Sequence, residues 1–291
     1  MKILLLGKTG QVGFELHRML SLLGTIDAPS RLTLDLMNEE AVNDYLIDSN
    51  PDLIVNAAAW TDVDGAEEHQ AEAYRLNAVL PAQLATYASE RGIRFLHYSS
   101  DYVYPGTGTL PWSETSPVGP LNHYGKTKLV GDQAIEHSGA DFLIFRISWV
   151  YSARGKNFMK TMLRLAQSHT QLEIVSDQVG APTPACLIAT ISLLAIRDEL
   201  KCGIYQLASK GETSWHGFAT EIFNGVRQAS EPLPLSLEHA EPISTLDYPT
   251  PAKRPVNSRM NLSKLENALN LKLPNWKSQL AITLTEFLEK K

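Results

Sequence analysis

The stretch Ile3-Leu4-Leu5-Leu6-Gly7-Lys8-Thr9-Gly10-Gln11-Val12-Gly13-Phe14-Glu15-Leu16 decides the fold. Its four successive apolar residues read as a strand covered on both faces, the pattern of a parallel sheet. Phe14 to Leu20 reads as a helix. Between them lies G-x-x-G-x-x-G, whose glycines permit a tight turn and close backbone approach. Strand, glycine turn and helix together present free amides and a positive helix end to an anion, above all a pyrophosphate. Gly7, Thr9, Gly10, Gln11, Val12 and Gly13 are therefore candidates for holding a dinucleotide.

Outward from this unit, strands and helices alternate. Thr25 to Ala28 reads as a second strand, and Asn38 as the cap of a helix containing Glu39, Glu40, Val42, Tyr45 and Leu46. Asp52 to Ala58 reads as a third strand. A helical region follows from Gly65 to Arg91, interrupted near Pro81. Arg94 to Ser100 is the fourth strand, Leu121 to His137 a helix and Asp141 to Arg146 the fifth strand. Helices are also expected over Asn157 to Ser168, over Ala185 to Leu200 and from the cap Ser214 toward Arg227. Gly203 to Ser209 reads as a strand, Pro232 to Arg259 as a proline-rich loop, and Trp276 to Lys290 as a closing helix. The alternation argues an α/β fold: a doubly wound, Rossmann-like parallel sheet with a smaller mixed C-terminal substrate-binding lobe. We expect residues 1–150 to form the dinucleotide-binding part and 151–291 the substrate-binding part, with segments crossing back to the sheet. In such sheets the ligand lies outside the carboxyl ends of the strands, where Gly7, Ala57-Ala58-Ala59 and Ser100 all fall.

The chain has 291 residues, 44% hydrophobic, with a formal net charge of −6. That charge argues against a broad nucleic-acid or membrane surface, so an anionic substrate needs a local basic group. The two cysteines, Cys186 and Cys202, offer neither a disulfide framework nor metal-ligand spacing, as expected of a cytoplasmic protein. No apolar run is long enough to span a bilayer.

A second constellation carries the chemistry. Tyr124 and Lys128 stand four apart on one predicted helix face, and Ser99-Ser100-Asp101 ends the strand upstream. A phenol is a poor acid at neutral pH, and a nearby cation lowers its pKa. We therefore expect Lys128 to acidify Tyr124, with Ser100 orienting a substrate oxygen. This trio could hand a proton to a carbonyl.

The glycine spacing joined to a downstream Tyr-x-x-x-Lys resembles the extended short-chain dehydrogenase/reductase superfamily. Longer blocks narrow the likeness: Val55 to Asp64, Tyr98 to Tyr104, Tyr124-Gly125-Lys126-Thr127-Lys128, Phe145 to Tyr151, Asp177-Gln178-Val179-Gly180-Ala181-Pro182-Thr183 and Arg254-Pro255-Val256-Asn257-Ser258-Arg259. Together they resemble the dTDP-4-dehydrorhamnose reductase family from end to end. The resemblance implies hydride transfer from NADPH or NADH to C4 of a 4-keto-6-deoxy sugar nucleotide, the last step of dTDP-L-rhamnose synthesis. Tyr124 would supply the proton and Lys128 would stabilise the phenolate and bond the nicotinamide ribose. Ser100 would hold the sugar oxygen.

Asp27 could bind a ribose 2′-hydroxyl and favour NADH, and Arg31 a 2′-phosphate and favour NADPH; both remain open. Asp35-Leu36 would approach the adenine and Ala57, Ala58 and Ala59 the cofactor. Thr61, Val63, Asp101, Tyr102, Trp149, Asn157 and Gln178 are candidates for the substrate, and Arg254 for its diphosphate. Some relatives dimerise through a cation held by glutamates. Here Glu15 and Glu286 match but the third position is Cys186, a poor ligand for a hard cation, so no bridging metal is expected and the chain is read as monomer or homodimer. Two other readings stand beside the reductase. One is an epimerase or dehydratase of the same fold, although a dehydratase would usually carry Glu where Tyr102 follows Asp101. The other is a non-catalytic regulatory subunit like that of methionine adenosyltransferase, although every catalytic position here holds a competent residue.

Overall fold

The protein is described by a computed structural model, which covers residues 1–229 and 233–289. Pro232 and Lys290, the limits expected for the proline-rich loop and the closing helix, lie outside the described residues.

Six strands form one parallel sheet. Five are β1 (Lys2–Leu6), β2 (Thr25–Asp27), β3 (Leu53–Asn56), β4 (Arg94–Ser100) and β5 (Asp141–Ile147). The order across the sheet is Gly203–Leu207, β5, β4, β3, β1, β2, so the winding reverses between β1 and β3. Alternation along β1 explains why all four of its apolar residues are buried. Ile3 and Leu5 pack on one face against the helices Gln11–Leu20 and Ala185–Arg197, while Leu4 and Leu6 pack on the other against Glu39–Ser49 and Leu80–Arg91. The edge strand Gly203–Leu207 and the helix Ala185–Arg197 both come from the second half of the chain. That half also has its own apolar cluster, including Tyr151, Met159, Leu163, Phe218, Phe223 and Trp276.

The expected helical region after β3 is three helices, Gly65–Glu68, Gln70–Tyr74 and Leu80–Arg91, with a π-helical turn at Arg75–Val79. The interruption precedes Pro81, which sits in the first turn of its helix, where a missing N–H costs little. Within the expected proline-rich loop, His239–Ile243 is instead a strand, paired in parallel with Gln171–Val175. Among the described residues no helix is long and apolar enough to cross a membrane.

Candidate active site

The parallel register brings the carboxyl ends together: Leu6 pairs with Asn56, Asn56 with His97, and Ser100 with Ile147. The glycine turn caps the first of these. Gly7 has φ +84°, and a Cβ there would lie 2.6 Å from the Ala57–Ala58 backbone. A Cβ on Gly13 would lie 2.0 Å from the Gly7 carbonyl oxygen. The helix beginning at Gln11 has no side-chain cap and no acidic residue in its first turn, leaving its amides for a ligand. These features fit a dinucleotide pyrophosphate, held by Gly10 to Gly13 with Ala57–Ala59 alongside.

Ser100 ends β4 and accepts the Tyr102 amide at 3.2 Å while donating to Asp101 Oδ1 at 3.1 Å. Asn122 caps the next helix, His123–His137, by accepting the Gly125 amide at 2.8 Å. That helix carries Tyr124 and Lys128. The Tyr124 ring meets Tyr102 edge-on, with centroids 5.4 Å apart.

The electrostatics differ from the sequence expectation of an acidified phenol. Burial pushes the Tyr124 phenol up to about 12; the Ser100 hydroxyl opposes this, and the Asp101 and Asp132 carboxylates reinforce it. The Lys128 ammonium is directed elsewhere. It donates to the Tyr98 carbonyl at 2.6 Å and lies 3.3 Å from His97 Nε2. Burial pulls it down to about 8, against the Asp132 carboxylate. The two residues stand four apart on that helix, and desolvation is the largest influence on each. In this structure the phenol is therefore a protonated donor, the form that reduction of a ketone requires.

His97 is fully buried, with Nδ1 3.2 Å from Asn56 Nδ2 and Nε2 3.3 Å from Lys128 Nζ; both neighbours are donors, so a neutral ring accepts from one of them. Burial, then Lys128, hold its imidazole well below the ordinary value, so it is neutral. Burial likewise pushes the Asp101 carboxyl up to about 6, opposed by the hydroxyls of Ser258, Ser100 and Ser148. Because that value lies above the ordinary 3.8, the folded state binds this proton more tightly than the unfolded chain does. The corresponding stability, about 3 kcal/mol, is fully present below the unfolded value and is lost as pH rises through the folded one. Asp101→Asn should therefore flatten the dependence of Tm on pH between acid and neutral. Identical slopes in variant and wild type would show that the carboxyl is not desolvated in this way.

Several candidates already have partners in the fold. Asp27 Oδ1 accepts Tyr45 Oη at 2.7 Å, Oδ2 accepts Ser49 Oγ, and Lys2 lies 3.9 Å away; each oxygen keeps capacity for a further donor. Arg31 is exposed, and Lys8 Nζ binds the Ala28 carbonyl just past β2. Asp35 is exposed and its Oδ1 accepts the Met37 amide at 3.0 Å; Leu36 is half-buried. Asn157 caps the helix Phe158–Ala166 with its oxygen, and its nitrogen donates to Gln11 Oε1 at 2.8 Å and to the Ser152 carbonyl. It ties the second half of the chain to the glycine turn. Both ends of the Gln178 amide are likewise used, by Trp215 and Thr245. Thr61 is exposed, and Val63 and Trp149 are half-buried.

Arg254 pairs with Asp64 at 2.6 Å, while its Nη1 is buried without a partner. It lies close enough to Tyr102 to pull that phenol's pKa down against the larger effect of burial. Asp64 lies inside a block singled out from sequence but carried no predicted role. Trp215, Ser148 and Ser258 were also missed, because each reaches the site from a distant part of the chain. Glu15, Cys186 and Glu286 do come together: burial raises the Cys186 thiol, and the two carboxylates add to it.

The model of the family described as RmlD substrate binding domain matches residues 1–289. The dTDP-4-dehydrorhamnose reductase of Salmonella typhimurium is 45% identical, over 98% of each chain. The crystal structure of a dTDP-4-dehydrorhamnose reductase from Clostridium acetobutylicum superimposes with a TM-score of 0.91 at 33% identity, covering 99% of this chain and 100% of that one. The structure of the Bacillus anthracis reductase in complex with NADP gives a TM-score of 0.90 at 29% identity, covering 98% and 99%. On that full-length match and those identities, the chain belongs to the dTDP-4-dehydrorhamnose reductase family.

Proposed function

We infer that this protein is an NAD(P)H-dependent oxidoreductase that reduces the C4 ketone of dTDP-4-dehydro-L-rhamnose to the alcohol of dTDP-L-rhamnose. The observation that carries this is a protonated, half-buried Tyr124 beside Ser100, at the strand ends that also hold the glycine turn. A bound reduced nicotinamide supplies the hydride for C4. Tyr124 gives its proton to the oxygen that becomes the hydroxyl. Ser100 orients that oxygen. Lys128 holds positive charge against the phenolate left on Tyr124, and His97 fixes the position of Lys128. We assign residues 1–150 to the cofactor and 151–291 mainly to the substrate. Lys8, bonded to the Ala28 carbonyl, and the exposed Arg31 offer cations for a 2′-phosphate, and the related Bacillus anthracis structure holds NADP, which supports NADPH. The location that fits is the cytoplasm. The direct test is to mix the protein with dTDP-4-dehydro-L-rhamnose and NADPH and follow the nicotinamide absorbance. Stoichiometric loss of NADPH is expected, and its absence overturns the assignment; an epimerase would consume none.

Arg254 is assigned to the substrate diphosphate. Asp64 anchors one guanidinium nitrogen, and the buried Nη1 has hydrogen-bonding capacity left over. A charge-assisted hydrogen bond is worth about 1.5–3 kcal/mol, so Arg254→Ala should raise the sugar-nucleotide KM by roughly ten- to a hundredfold with a smaller change in kcat. An unaltered KM would remove Arg254 from this role.

A further inference from the structure

Trp149 follows Ser148 at the end of β5 with φ +48°, a left-handed conformation that bulky residues rarely adopt. Its indole lies flat on that of Trp215, with centroids 3.6 Å apart and planes 8° from parallel. Trp215 is in turn anchored. Its Nε1 donates to Gln178 Oε1 at 3.1 Å, and Gln178 Nε2 donates to Thr245 Oγ1 at 3.1 Å. Thr245 is fixed by Asp177, to which its hydroxyl donates at 2.6 Å and its amide at 3.0 Å. Phe158 packs against the same indole, with centroids 4.6 Å apart. Around Trp149 there is little slack, since a Cβ on Gly180 would come within 2.8 Å of the indole and 3.1 Å of Ser258. The Ser258 hydroxyl neighbours Asp101, so this indole stands one residue from the carboxyl beside Ser100.

A residue so strained persists only where its surroundings hold it. Here the surroundings are a polar chain built from three separate segments, 177–178, 215 and 245, all converging on one aromatic plane. We propose that Trp215 is a positioning residue for substrate binding: stacked on Trp149 and anchored through Gln178 and Thr245 to Asp177, it holds the Trp149 indole in the orientation that meets the nucleotide sugar. This rests on reading the site as that of a nucleotide-sugar reductase. Gln178 acts through Trp215, whose Nε1 donates to its amide oxygen.

The experiment compares wild type with Trp215→Leu, Trp215→Phe and Gln178→Leu, measuring kcat and KM for dTDP-4-dehydro-L-rhamnose and for NADPH. Aromatic pairing contributes about 0.5–1.5 kcal/mol beyond area burial, so Trp215→Leu should raise the sugar-nucleotide KM about three- to tenfold. Its kcat and NADPH KM should stay within about twofold. Trp215→Phe keeps a flat ring and should recover most of the loss. Gln178→Leu, which cuts the anchor and spares the stack, should raise the same KM by a smaller factor. Circular dichroism follows the indole pair directly, because two stacked indoles give an exciton couplet that both Trp215 variants must lose. Loss of the couplet in Trp215→Leu with an unchanged sugar-nucleotide KM overturns the proposal. Equal losses against both substrates also overturn it, since they would mean general structural damage. If Trp215→Leu does not fold, Gln178→Leu decides by KM alone: no rise against the sugar nucleotide, or equal rises against both substrates, overturns the proposal. Wild-type inactivity would instead sink the reductase assignment, which keeps the two failures apart.

Discussion

Tyr124→Phe should lower kcat by about 10²–10⁴-fold, the range set by losing a positioned general acid. Phenylalanine keeps the ring and its edge contact with Tyr102, so the packing survives and only the hydroxyl is removed. The site then has no equivalent proton donor for the nascent alkoxide. Lys128 is committed to the Tyr98 carbonyl and His97, the His97 imidazole is neutral, and the Ser100 hydroxyl already donates to Asp101. Cofactor affinity, read by fluorescence titration with NADPH, should stay near that of wild type. Retention of more than a tenth of the wild-type kcat would mean that another group delivers the proton. A parallel loss of cofactor affinity would mean that the phenol serves binding and not proton transfer.

Gly13→Ala should be the most damaging change to cofactor binding. The added Cβ would fall 2.0 Å from the Gly7 carbonyl oxygen, inside any permitted contact, and that oxygen belongs to the backbone and cannot swing aside. The helix Gln11–Leu20 must then move away from β1. Forced overpacking of this kind costs about 1–3 kcal/mol in stability and widens the turn whose amides face the pyrophosphate. We expect NADPH affinity to fall by well over tenfold and Tm to fall by several degrees. Calorimetric titration and thermal unfolding measure the two separately. Wild-type affinity in the folded variant would show that this turn does not hold the cofactor.

The parts legible from sequence were those whose signals are local. Strand β4 and the cap residues Asn38 and Ser214 lie where short-range patterning and capping chemistry place them, and each cap side chain accepts a backbone amide. The strand His239–Ile243 escaped notice because its pairing with Gln171–Val175 is distant in sequence. It is also largely exposed and contains Pro242, so it carries no clean alternation. A proline is tolerated there because each strand of this pair has a free edge. The partners of Asp27 were not legible either: Tyr45 and Ser49, on the next helix, each donate to one of its carboxylate oxygens.

The sequence by itself determined the α/β class, the glycine turn and the shared helix face of Tyr124 and Lys128, because apolar periodicity, glycine spacing and the helical repeat act over a few residues. Only the tertiary structure decided how the charges behave. Burial raises the Tyr124 phenol, lowers the Lys128 ammonium and turns that ammonium toward His97 and the Tyr98 carbonyl. It also decided that Asp64, Trp215, Ser148 and Ser258 join the site. Desolvation and hydrogen-bond partnership depend on every atom packed around a group, and those atoms come from segments that no local pattern connects.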